Sequence, residues 1–233
     1  NTIQNNTANS NTDPGYAYGI YLLTSSNGNI LTDNTANSNT HYGIFLSESS
    51  NNTLTNNNIW SCTTISAGCL YLSNADNSTI TGGIINLSLS NLIYLATNSD
   101  NNIFKDIQLY QAASGGNDSF LTGTSINNTF TNVSYNISRE SVASGSELIR
   151  RGYLTKVIAN VTYSGNSSAV ANANTSLLNS SSGVLTSNLS NSVGLSTLDL
   201  GSATLLTYYT NNGGTRTDSL SLSTVKAPYL TES

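Results

Sequence analysis

An apolar anchor returns every 23 to 27 positions along the first 130 residues, each time behind an Asn/Ser-rich turn. The anchors are Ile3, Ile30, Leu54, Ile80, Ile103 and Phe130. A second set, Ile20, Ile44, Leu70, Ile93 and Phe120, stands ten residues ahead of the anchors from Ile30 onward. A fixed ten-residue arm beside an arm of 13 to 17 residues describes a coil that repeats, not a single globular core. Repeats of 20 to 50 residues are the mark of solenoids.

Laid rung on rung, Ile20-Tyr21-Leu22, Ile44-Phe45-Leu46, Leu70-Tyr71-Leu72, Ile93-Tyr94-Leu95 and Phe120-Leu121 form one column. Strand alternation turns the first and third residues inward and the aromatic outward. Tyr21, Phe45, Tyr71 and Tyr94 are therefore expected as an outward stripe, able to meet sugar rings or a neighbouring subunit, or to stack on one another. Asn27, Asn51, Asn77, Asp100 and Asn127 stand three before the anchors. Asn and Asp tolerate the left-handed bend that a sharp corner needs, and stacked Asn side chains bond up and down in a ladder. A third short segment follows each anchor, as in Leu54-Thr55-Asn56-Asn57-Asn58-Ile59, so three strands fill each coil. The variable arm then carries the bulging loop, as at residues 9–16.

The phrases Tyr18-Gly19-Ile20-Tyr21-Leu22…Ser26-Asn27 and Tyr42-Gly43-Ile44-Phe45-Leu46…Ser50-Asn51-Asn52-Thr53-Leu54 resemble the right-handed parallel β-helix repeat. They are closest to Asn-rich archaeal surface proteins related to the periplasmic copper-accessory family of nitrous-oxide reductase maturation. The resemblance covers roughly residues 1–138 and implies a fold rather than an activity. Copper handling does not carry over, because methionine is absent and there are two cysteines and one histidine.

The rhythm stops near Asn136, and residues 139–147 read as a linker or cap. From 148 to 233 short alternating segments are separated by the turns Ser181-Ser182-Gly183, Asn191-Ser192-Val193-Gly194 and Asn211-Asn212-Gly213-Gly214, the pattern of an antiparallel β-sandwich. Ala171-Asn172-Ala173-Asn174…Leu177-Leu178-Asn179-Ser180-Ser181 is similar to the carboxypeptidase-regulatory-like sandwich of the same surface proteins, which implies a spacer or interaction module. The whole is expected to be all-β: a right-handed parallel β-helix of five to six coils over 1–138, then an Ig-like sandwich.

Asn, Ser and Thr number 36, 38 and 30, while charged residues are 8% and the net charge is −5. The seven Lys and Arg are absent from the first hundred residues, which excludes a cationic nucleic-acid surface and disfavours an anionic membrane. No apolar run is long enough to span a bilayer. Asn1 is not a translated start and the chain opens in the middle of a phrase. Upstream coils, or another copy stacked head to tail on that end, are expected there.

Thirteen Asn-X-Ser/Thr sequons stand at Asn5, Asn51, Asn77, Asn86, Asn117, Asn127, Asn132, Asn136, Asn160, Asn166, Asn174, Asn179 and Asn188. They are candidate N-glycan sites in an extracellular protein, although a chain with this much Asn, Ser and Thr makes sequons by chance. Cys62 and Cys69 sit in one variable arm and are expected to form a local disulfide, which places the chain in an oxidising compartment.

An enzyme reading finds no partners. Asp33 and Asp106 share a rung position three coils apart, roughly 14 Å at about 4.8 Å per coil, too far for a glycosidase pair. Asp76 and Asp100 are simplest as turn formers, Lys105 stands alone, and His41 reads as a solvent-facing loop residue. Neither Asp13 nor Asp118 sits in a loop with several carboxylates, which speaks against calcium. No catalytic residue, cofactor or metal is expected. The expectation is a glycosylated structural subunit of an extracellular filament or cell-surface layer that assembles with itself, through the open coil end or a strand donated from residues 225–231. A carbohydrate-binding adhesin using the aromatic stripe is the alternative, and a polysaccharide-degrading enzyme the third.

Overall fold

A computed structural model describes residues 1–13, 15–63, 68–110, 116–163 and 165–226. The chain divides into two compact units, residues 1–150 with 210–216, and residues 151–209 with 217–233.

The first unit is a β-solenoid of about six turns. It opens with β1 (Thr2–Gln4) and then runs in triplets, one per coil. These are β2 (Ile20–Leu23), β3 (Ile30–Thr32) and β4 (Thr35–Asn37), then β5 (Ile44–Ser47), β6 (Thr53–Thr55) and β7 (Asn58–Trp60). β8 (Gly68–Ser73), β9 (Thr79–Thr81) and β10 (Ile84–Asn86) follow, then β11 (Asn91–Ala96), β12 (Ile103–Lys105) and β13 (Gln108–Tyr110). β14 (Ser119–Leu121) and β15 (Asn128–Thr131) are the last rungs. Like members of successive coils pair in parallel. Sheet A contains β1-β3-β6-β9-β12-β15, sheet B contains β4-β7-β10-β13, and sheet C contains β2-β5-β8-β11-β14. The segment 139–147 lies within this unit: after a 3-10 turn at Ile137–Arg139, β16 (Glu140–Val142) pairs with β14.

Sheets A and B each contribute one inward column and sheet C two, the second being Ile20, Ile44, Leu70 and Ile93. Leu31, Leu54, Ile80, Phe104 and Phe130 come from sheet A, Ala36, Ile59, Ile85 and Leu109 from sheet B, and Leu22, Leu46, Leu72, Leu95 and Leu121 from sheet C. All are buried, each large side chain contributing about 1.5–3 kcal/mol.

Each sheet is left through a corner in the left-handed conformation, two residues past its inward side chain. After sheet A these corners are Asn5, Asp33, Asn56, Gly82, Asp106 and Asn132; after sheet B they are Ser10, Ser38, Ser61 and Leu87. After sheet C the bend begins at Glu48, Asn74, Thr97 or Gly123, and a further corner at Gly28, Asn51, Asn77, Asn101 or Asn127 leads into sheet A. The abundance of Asn and Ser thus has a backbone cause, since short polar side chains tolerate αL best.

Two anchors differ from the sequence reading. Leu31 and Phe104 face inward, whereas Ile30 and Ile103 are 45% and 44% exposed. The arm from Leu22 to Leu31 and from Leu95 to Phe104 is one residue longer than from Leu46 to Leu54. The additional residue is absorbed by a second consecutive left-handed residue, Thr24-Ser25 and Thr97-Asn98 in place of Glu48 alone. One residue of slip exchanges the faces of a strand. For the same reason Ser119 pairs with Ile93, and Phe120 joins the aromatic column opposite Tyr94.

The interior ladder also lies beyond the expected positions, by one residue in three coils and by two at Asn29 and Asn102. Asn29, Asn52, Ser78, Asn102 and Asn128 are buried and bond coil to coil: Asn52 Oδ1 accepts the Asn29 N–H at 2.8 Å, and Asn102 Oδ1 accepts the Ser78 N–H at 2.9 Å. Of the residues expected there, Asn51, Asn77 and Asn127 are the exposed bend residues before sheet A, a place taken by Gly28 and Asn101 in the other two coils. A second ladder, Asn6–Asn34–Asn57, follows sheet A. It ends at Gly83, where a Cβ would lie 2.2 Å from the Asn57 carbonyl oxygen, and continues with the apolar Ile107 and Val133.

The second unit is antiparallel. β18 (Ala173–Asn179) pairs on one side with β19 (Val184–Leu189) and on the other with β22 (Leu220–Lys226). β17 (Glu147–Asn160) and β20 (Leu195–Asn212) are long strands that begin or end in the first unit, and β21 (Thr215–Asp218) follows β20. Ala159, Val170, Ala173, Leu177, Leu198 and Tyr209 are its buried apolar residues. Of the strand expected over 225–231, residues 227–231 lie outside the described residues.

Candidate functional site

The expected aromatic stripe is a continuous stack. Ring centroids are 4.8 Å apart from Tyr21 to Phe45, from Phe45 to Tyr71 and from Tyr71 to Tyr94, and 5.0 Å from Tyr94 to Phe120. Tyr18 and Tyr42 form a shorter second row, 5.1 Å apart, with Tyr42 leaning on both Phe45 and Tyr71. Phe45 is buried and Tyr71, Tyr94 and Phe120 are half-buried, so most ring faces are used within the protein. Burial drives the Tyr42 phenol up to about 12, reinforced by Tyr71 and Tyr18, and it also raises Tyr18 and Tyr71. His41, read as solvent-facing, is instead half-buried beside Tyr18 and Tyr42, 6.0 and 6.2 Å between ring centroids.

The sequons separate by geometry. Asn51, Asn77 and Asn127 are exposed on one solenoid edge, the corner before sheet A, and Asn5 and Asn132 are exposed on the corner after it. Asn136 is exposed and caps the 3-10 turn. In the second unit Asn160, Asn166 and Asn174 are exposed, and Asn179 is half-buried at the β18–β19 turn. At Asn86, Asn117 and Asn188 the hydroxyl residue of the motif, Ser88, Ser119 or Ser190, is buried, so the folded chain withholds those three motifs.

Cys62 and Cys69 are joined, with Cα atoms 5.4 Å apart, and both are buried. Their bond links the corner after β7 to the start of β8; residues 64–67 between them lie outside the described residues. Asp76 and Asp100 serve the turns, Asp76 Oδ1 accepting the Asp100 N–H and Asp100 Oδ1 the Ile126 N–H, both at 2.8 Å. Asp33 and Asp106 are both left-handed corner residues of sheet A. Asp13 accepts the N–H groups of Gly15 and Tyr16, which hold its carboxyl below the usual range.

Asp118 is different. It is 2% exposed; its Oδ2 accepts the Asn136 N–H at 2.7 Å, and its Oδ1 has no hydrogen-bond partner among the described residues. Burial raises its pKa against the opposing effects of that N–H and of Arg139. It lines a cavity of about 360 Å³ with Leu109, Tyr110, Ser134, Tyr135, Asn136 and Arg139. Sequence reasoning passed over this cavity because its walls come from three different coils. It also passed over Trp60 and Tyr110, which stand out from sheet B at 41% and 51% exposure. The signal was available: Ile59-Trp60, Ile85-Asn86 and Leu109-Tyr110 follow one another at coil spacing.

A family model described as "Periplasmic copper-binding protein (NosD)" matches residues 1–107, so the chain is similar to that family over most of the solenoid. No curated protein matches the chain. The donors do not fit copper: Cys62 and Cys69 are bonded to each other, methionine is absent, His41 is the sole histidine, and no group of three or more His, Cys, Asp or Glu converges among the described residues. None of the described helices is long and apolar enough to cross a membrane.

Proposed function

We propose that this chain is a structural subunit of an extracellular filament or cell-surface layer, built from a right-handed β-helix and a small β-sandwich and carrying N-glycans along its corners. The observation that carries the reading is the use made of its polar and aromatic side chains. The Asn ladders, the serine and aspartate turns and the Tyr/Phe stack are spent on bonding one coil to the next. A scaffold of this kind supplies rigidity and length. A location outside the cytoplasm is supported by the Cys62–Cys69 disulfide and by the periplasmic family that the solenoid resembles. Archaeal surface proteins remain the source class that the Asn-rich phrases favour. Self-association would proceed by strand addition at unpaired sheet edges.

The test is to shave intact cells of the source organism with protease and sequence the released peptides. The reading predicts release without lysis, with glycan mass on peptides holding Asn51, Asn77 or Asn127 and none on those holding Asn117. Recovery only from the cytoplasmic fraction, unmodified, would contradict it.

A further inference from the structure

We propose that the outward face of sheet B, from Trp60 to Tyr110 and on to the cavity at Asp118, binds a neutral oligosaccharide.

The two aromatic faces of the solenoid are built differently. On sheet C each coil supplies a ring, and the rings satisfy one another at 4.8 Å. On sheet B, Asn86 pairs with Trp60 on one side and Tyr110 on the other. The rings are therefore two strand spacings apart, about 9–10 Å, which is too far to stack. Among the described residues their faces stay open, with the 39%-exposed Ile84 beside them. Asn58, Trp60, Ile84, Asn86 and Tyr110 enclose a shallow hollow of about 180 Å³.

Tyr110 also lines the larger cavity, so the two hollows meet at one ring. There the Asp118 Oδ1 is an acceptor removed from water and without a donor among the described residues. A buried acceptor in that state is costly until something donates to it, and a sugar hydroxyl does so. Ser134 and Asn136 add neutral hydrogen-bonding groups to the same wall. The charged residues lining this cavity are Asp118 and Arg139, one of each sign, which favours an uncharged ligand over an acidic one. Open ring faces at a wide spacing, amide side chains between them and one buried carboxylate are the recognition set for pyranose rings. They are not the set for a phosphate or a polyanion. Asn86 is itself a sequon, but the buried Ser88 hydroxyl keeps it from modification in the folded chain and leaves its amide for the ligand.

Trp60 is the sole tryptophan, so its fluorescence reports this face directly. The probes are cellohexaose, mannohexaose, laminarihexaose and chitohexaose, with the galacturonate hexamer as the acidic comparison, each titrated to about 10 mM, beyond the weak end of specific binding. The proposal predicts a saturable emission change with at least one neutral hexaose. Tyr110→Ala should weaken that binding about tenfold or more, and Tyr21→Ala should leave it unchanged. Asp118→Ala should weaken it as well, provided its circular dichroism matches the parent's; Tyr110→Ala decides in either case. No saturable change with any neutral hexaose, a response to the acidic hexamer alone, or a response that Tyr110→Ala does not alter overturns the proposal.

Discussion

Asn102 and Asn128 meet across one coil step inside the solenoid, where Asn128 Oδ1 accepts both the backbone N–H of Asn102 at 3.1 Å and its side-chain Nδ2 at 3.2 Å. Asn102 in turn accepts from the Ser78 N–H and donates to the Ala75 carbonyl. One side chain therefore satisfies backbone groups that no sheet reaches. Asn102→Ala should lower stability by about 3 kcal/mol, because it orphans several buried groups at once. Asn101→Ala, at the exposed left-handed corner next door, should cost about 1 kcal/mol. Urea unfolding of the two variants checks the ordering; equal losses would contradict an inward ladder at 102.

Gly43 admits no side chain. A Cβ there would sit 2.0 Å from Ile59 Cγ2. Gly43→Ala should therefore cost about 1–3 kcal/mol by overpacking, and the double variant with Ile59→Ala should lose less than the sum of the two single losses. Additive destabilisation in the double variant would show that the two residues do not compete for one space.

Asp118 links stability to acid pH. Its folded pKa is raised by burial, so its contribution is fully present below the unfolded carboxylate range and is lost as pH rises through the folded value. In the window just above pH 4 the parent should lose stability with rising pH, and Asp118→Asn should flatten that slope while keeping an acceptor for the Asn136 N–H. Thermal melts from pH 3 to 7 read this; identical slopes for parent and variant would sink the assignment.

The Tyr42 phenol titrates near 12, so its raised folded pKa stabilises the fold below its ordinary pKa of 10.0 and that support fades as pH climbs toward 12. Absorbance titration should show Tyr42 ionising only near the alkaline unfolding transition. Tyr42→Phe should remove that late component.

The solenoid was legible because its period is written in residues whose chemistry is single-minded: Ile and Leu for the interior, Asn and Ser for left-handed corners. Cys62 and Cys69 were legible for the same reason, being close in sequence within one arm. The register at Ile30, Ile103 and Phe120 was not, because an added residue in the arm is absorbed by a second αL residue and leaves no mark in composition. The Asp118 cavity was not legible either. Leu109, Asp118 and Arg139 converge only after the coils are stacked, and no spacing within one repeat announces it.

Negative-stain electron microscopy of the native material, with its mass by light scattering, tests the proposed assembly at the surface most directly. Regular filaments or sheets with a mass many times 24.5 kDa are the predicted result. Discrete particles of monomer mass, unchanged by concentration, would contradict it.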